Sequence, residues 1–135
     1  MNSIKNILPT LLLIGSAFGL SSCKLTAQKP IIEEHFLIGT YTQEFSQGVY
    51  KITLDAKSNS LFNHGAIAKG VNPSYLALSK NQDWLYAATG KKTGGIDVFL
   101  KDNQSNTYNL QQQITNIGKD TCHIALNPQE NQLAV

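Results

Sequence analysis

Beyond residue 34, apolar and polar positions alternate with a period of two, and no useful stretch keeps the helical spacing of about 3.6 residues. Val49-Tyr50-Lys51-Ile52-Thr53-Leu54 shows the alternation that a half-buried strand requires. A compact strand over 35–42 precedes it, with Phe36, Leu37 and Ile38 running into Gly39-Thr40-Tyr41. The turn at 55–60 is polar, and a further strand is predicted over 61–68. The same order then recurs. Strands are predicted over 72–79, 84–89, 96–100 and 108–117, separated by the polar turn Lys80-Asn81-Gln82-Asp83, by Gly94-Gly95 and by the turn at 102–106.

The end of the chain repeats this unit once more. Sliding Asp120-Thr121-Cys122-His123-Ile124-Ala125-Leu126 under the earlier copy sets His123 on Tyr75, Ile124 on Leu76, Leu126 on Leu78 and Leu133 on Leu85, an offset of 123 − 75 = 48 residues without a gap. A period of about 40–50 residues made of four short strands is the signature of a propeller blade. The chain is therefore expected to be all-β, a β-propeller of four-stranded antiparallel blades. An incomplete blade is placed at 35–70, a full one at 71–118 and the start of another at 119–135. Propellers use at least about four blades, and each blade needs a neighbour on both faces. The sequence is accordingly read as an N-terminal fragment of a larger wheel.

The first residues follow a different pattern. Lys5 precedes an apolar core over 7–20, of signal-peptide length and shorter than the roughly 20 apolar residues of a spanning helix. Leu20-Ser21-Ser22-Cys23 resembles the bacterial lipobox, which is cleaved before a cysteine that then carries lipid; Cys23 is the expected lipidation site. An ordinary secretory signal is the alternative. Lys24 supplies no aspartate-type retention signal, which places the anchor at the outer membrane, and 24–34 reads as a tether.

Composition removes several function classes. All 11 basic residues are lysines, and they are scattered through a chain of net charge +2, so nothing points to nucleic acid. No arginine is present to clamp a phosphate or carboxylate bidentately. Of the two cysteines, a lipidated Cys23 leaves Cys122 without a disulfide partner, and its apolar strand context predicts a buried thiol.

Several stretches in this order and spacing resemble the lactonase family of seven-bladed propellers. They are Leu37-Ile38-Gly39-Thr40-Tyr41-Thr42, Gly48-Val49-Tyr50, Asn72-Pro73-Ser74-Tyr75-Leu76-Ala77 and Cys122-His123-Ile124-Ala125-Leu126-Asn127-Pro128. Thr121 stands where the family commonly has proline. Members include propeller-type 6-phosphogluconolactonases and carboxymuconate-cyclising enzymes. The resemblance implies hydrolysis or isomerisation of a sugar lactone in the funnel of the ring, without metal or other cofactor. It also implies that arginines and further acid/base groups sit mostly in later blades.

His123 is the expected catalytic residue, because it opens an inner strand facing the channel and an imidazole can act as a general base near neutral pH. A histidine satisfying a nearby backbone group is the plain alternative. Tyr75, its equivalent one blade earlier, is the expected substrate-binding residue, or else a packing residue. His35 and His64 read as solvated surface, and Trp84 as packing between blades. The histidines and cysteines lack metal-site spacing, so no metal is expected. Gly90-Lys91-Lys92-Thr93-Gly94-Gly95 has neither the spacing nor the following helix of a phosphate loop and reads as a hairpin.

Three functions fit these residues: a lactone hydrolase, a lactone-cyclising isomerase, or a non-catalytic binding propeller on the cell envelope. The partner in the first two is a small sugar lactone, and the membrane is met only through the lipid. Fold alone cannot choose among them.

Overall fold

The computed structural model describes residues 33–90 and 92–135; the segment read as a leader, Cys23 and the segment read as a tether up to residue 32 lie outside these. Among the described residues nine strands form three antiparallel sheets. The first sheet is β1 (Glu33–Gly39), β2 (Gly48–Asp55) and β3 (Ser60–Lys69), the second β4 (Pro73–Leu78), β5 (Trp84–Thr89), β6 (Gly95–Asp102) and β7 (Thr107–Thr115). A two-stranded unit, β8 (Ala125–Leu126) and β9 (Leu133–Ala134), follows. All pairings join sequence neighbours, as four-stranded propeller blades require. β1 starts two residues inside the segment read as a tether, because Glu33 and Glu34 pair with Asp55 and Leu54.

The middle sheet buries both faces, and strand alternation divides its residues between them. Leu85, Ala87 and Phe99 join Val49, Ile67, Ala68 and Tyr108 in a core between the first and second sheets. Ala88, Ile96 and Val98 turn the other way and pack with Ile124, flanked by Ala77, Tyr86 and Leu133. The consecutive alanines 87 and 88 leave room for a sheet on each side. Trp84 departs from expectation: it is 36% exposed, whereas Leu85 beside it is fully buried and carries the contact between sheets. Trp84 is the first residue of β5, and its amide is held by the Ser79 hydroxyl of the preceding turn at 2.9 Å.

The repeat extends to single hydrogen bonds. The amide of Gln82 bonds the carbonyl of Ser79 at 2.8 Å, and that of Glu130 bonds Asn127 at 2.9 Å in the equivalent turn. Gln82 and Glu130 both adopt the left-handed conformation, at φ 60° and 57°. The hairpins β2–β3 and β6–β7 match as closely. Asn59 and Asn106 turn them at φ 52° and 55°, a region asparagine enters more readily than most residues.

Asp55 and Asp102 close these two hairpins. One carboxylate oxygen of Asp55 accepts from the Lys57 amide and the other from the Ser58 hydroxyl, at 2.8 and 2.7 Å. Asp102 does the same with the Gln104 amide and the Ser105 hydroxyl, at 2.9 and 2.8 Å. Donors to the charged form hold both carboxyls below the ordinary range. The Ser58 hydroxyl leads at Asp55, and the Gln104 amide leads at Asp102. A carboxyl depressed by folding contributes stability that is present above its unfolded value and lost as pH falls through its folded value. A carboxyl-detected NMR titration is therefore expected to give both groups midpoints below those of the unstructured hairpin peptides. Matching midpoints would show that the hydrogen bonds do not persist in solution.

Candidate functional site

The site lies where the chain enters β4 and approaches β8. Asn72 and its repeat equivalent Asp120 both take the left-handed conformation, at φ 47° and 55°, and turn the chain into Pro73-Ser74-Tyr75 and Thr121-Cys122-His123. The first turn is clamped by Asn72, whose side-chain oxygen accepts from the amide and the hydroxyl of Thr42 at 2.8 and 3.1 Å. A register shift between Pro73 and Tyr75 then aims Ser74 sideways. Its hydroxyl lies 3.3 Å from the Ala88 carbonyl and 3.1 Å from the Thr121 carbonyl, bridging the second sheet to the segment leading into β8.

Tyr75 pairs with Ala88, so its ring lies on the face of β4 turned toward the last unit. Ile124, almost wholly buried in that interface, anchors the incoming chain, and His123 beside it stays exposed. The two side chains meet. His123 Nε2 lies 3.1 Å from the Tyr75 hydroxyl across 48 residues of sequence. The rings are 4.4 Å apart between centroids and tilted by 58°. Tyr75 is 39% exposed, so the pair is accessible while its backbone is held on both sides. His123 itself stands two residues before β8 rather than within a strand, because the β8–β9 ladder spans only Ala125–Leu126 and Leu133–Ala134.

A phenol–imidazole hydrogen bond can run in either direction, since a neutral imidazole offers one donor and one acceptor nitrogen. Either way the pair couples a weak acid to a base at solvent-facing strand ends, an arrangement suited to proton transfer. Among the described residues no three His, Cys, Asp or Glu side chains gather to hold a metal ion.

Three further placements differ from expectation or escaped it. Cys122 is exposed rather than buried, because Ile124 and Thr121 take the inward positions of its segment. His35 and His64 are exposed, as read from the sequence, yet Nδ1 of one and Nε2 of the other each lie 2.8 Å from the Thr53 hydroxyl. Only strand register could reveal this, since His35 sits opposite Thr53. Asp97 is buried at 1% exposure between the sheets, with one carboxylate oxygen 2.9 Å from the Gln113 amide nitrogen.

Residues 90–94 connect β5 to β6, with Lys91 outside the described residues, and Gly95 already pairs within β6. Gly94 takes φ +64°, and a Cβ there would overlap the Gly118 carbonyl and come within 2.5 Å of the Thr121 hydroxyl. The glycine therefore serves the close approach of two loops beside His123.

Comparisons with known proteins agree with this architecture. The family model described as "Lactonase, 7-bladed beta-propeller" matches residues 35–135. A 6-phosphogluconolactonase of Bacillus subtilis is 32% identical over 95 residues, covering 68% of this chain and 27% of its own length. A crystal structure of a protein from Lactobacillus plantarum superposes with a TM-score of 0.61 at 36% identity, over 71% of this chain and 28% of that one. Another, described as a candidate 6-phosphogluconolactonase from Bacteroides uniformis, gives 0.59 at 28% identity, over 70% and 28% of the two chains. The chain thus spans 28% or less of the length of each of these relatives.

Proposed function

Since the chain belongs to the lactonase family of seven-bladed β-propellers, we propose that the whole protein hydrolyses a sugar lactone, with His123 as the general base in its funnel. The observation that carries this reading is the contact of His123 with Tyr75 at the start of the inner strands. In the reaction, His123 takes a proton from water as the water oxygen adds to the lactone carbonyl carbon. The tetrahedral intermediate collapses, the bond from that carbon to the ring oxygen breaks, and the ring oxygen leaves with a proton as a free hydroxyl. The product is the open hydroxy acid.

The same proposal places the protein at the bacterial envelope, exported by its leader and held at the outer membrane by lipid on Cys23. An exported lactonase meets lactones outside the cytosol, so aldonolactones with and without phosphate belong in the assay. The test is hydrolysis by the complete, leader-free protein, followed by acid release. Turnover above the uncatalysed rate is expected for at least one of these sugar lactones. Absence of turnover on all of them would remove the hydrolase and leave the lactone-cyclising isomerase and the binding propeller.

A further inference from the structure

Resting on that reading, we infer that Tyr75 is a catalytic acid, the group that protonates the departing ring oxygen, rather than a residue that only binds substrate. Three observations carry it. The Tyr75 hydroxyl and His123 Nε2 are within hydrogen-bond distance at 3.1 Å. The two residues occupy the same position in successive repeats, Tyr75 just inside β4 and His123 two residues before β8, each following a left-handed residue, Asn72 or Asp120. Each is exposed, and the imidazole takes no other hydrogen bond from the described residues, which leaves Nδ1 open to a water molecule.

This geometry lets one imidazole serve both halves of the reaction. In the tautomer with hydrogen on Nε2, that N–H donates to the phenol oxygen of Tyr75, and the phenol O–H is free to point at the substrate. Water attacks the carbonyl carbon and gives its proton to Nδ1. The imidazolium so formed donates more strongly through Nε2, which makes the phenol a better acid at the moment it is needed. The bond between the carbonyl carbon and the ring oxygen breaks, and the Tyr75 proton passes to that oxygen. The phenolate then takes the Nε2 proton, leaving neutral histidine with its hydrogen on Nδ1, and exchange with solvent restores the starting tautomer. One water is consumed, one C–O bond is broken and no external acid is required.

The leaving group supplies the test. A sugar lactone expels an alkoxide that needs a proton, whereas a phenolic lactone such as dihydrocoumarin expels a phenoxide that does not. In the complete protein, Tyr75→Phe is expected to lose about 10²-fold in kcat on an aldonolactone, with KM little changed. On dihydrocoumarin the same variant is expected to stay near the wild-type rate. Equal losses on both substrates would assign Tyr75 a structural or binding role and overturn the proposal, as would no loss on either. Wild-type protein that opens dihydrocoumarin but no sugar lactone would also overturn it. Wild-type protein inactive on every lactone would end the hydrolase reading itself, and this inference with it. As a check that the pair exists in solution, the Nε2 resonance of His123 is expected to shift in Tyr75→Phe, and an unmoved resonance would count against the contact.

Discussion

His123→Ala is expected to lower kcat for lactone hydrolysis by about 10²–10⁴-fold, the usual contribution of a positioned general base, while changing KM far less. The argument is geometric. The imidazole is exposed two residues before β8, and the neighbouring Ile124 is buried and fixes the backbone that presents it. Its Nε2 is already engaged by Tyr75 at 3.1 Å, which orients the ring without enclosing it. Removing the side chain deletes a solvent-facing group and leaves the core between the second and third units in place. The variant should therefore fold like wild type, and added imidazole should restore part of the rate. Turnover equal to wild type would take His123 out of the chemistry while leaving the family assignment untouched. The loss should exceed that of Tyr75→Phe on a phenolic lactone, because water needs a base whichever group departs.

The largest expected effect on stability is that of Phe99→Ala, a loss of about 3–5 kcal/mol. Phe99 is 1% exposed and sits in the core shared by the first and second sheets, where Val49, Ile67, Leu85 and Tyr108 surround it. Deleting the ring removes buried apolar area and leaves a cavity between two rigid sheets, which cannot close without moving a whole blade. Urea unfolding of the complete protein would read the effect as a lower midpoint. Trp84→Ala is the control: its side chain is larger but 36% exposed, so its cost should be the smaller of the two. A greater loss at Trp84 would mean that packing between blades depends on the strand ends and not on the alternating interior.

Strand order, turn positions and the repeat were legible without coordinates because each is a local matter. Period-two patterning selects strands, and polar clusters such as Lys80-Asn81-Gln82-Asp83 select turns. The matched left-handed residues at 59 and 106, 72 and 120, and 82 and 130 show how closely the repeat recurs in the backbone. The two hydrogen-bonded pairings were not legible as contacts. Alignment of the repeats put Tyr75 and His123 at equivalent positions, but equivalence says nothing of distance. Their contact at 3.1 Å depends on how two adjacent units pack and on the register shift after Pro73. The link from His35 through Thr53 to His64 likewise depends on the register of three strands.

Burial follows a residue's place in the pleat rather than its type. Cys122 and Trp84 are apolar enough for a core, yet Ile124 and Leu85 hold the inward positions of their segments. By itself the sequence determined that this is a propeller built on a repeat of 48 residues, since hydrophobic period and turn chemistry act over a few neighbouring residues. Tertiary structure alone decided which side chains from successive repeats touch. That choice depends on the angle and spacing between sheets, which are set by the side chains filling the space between them.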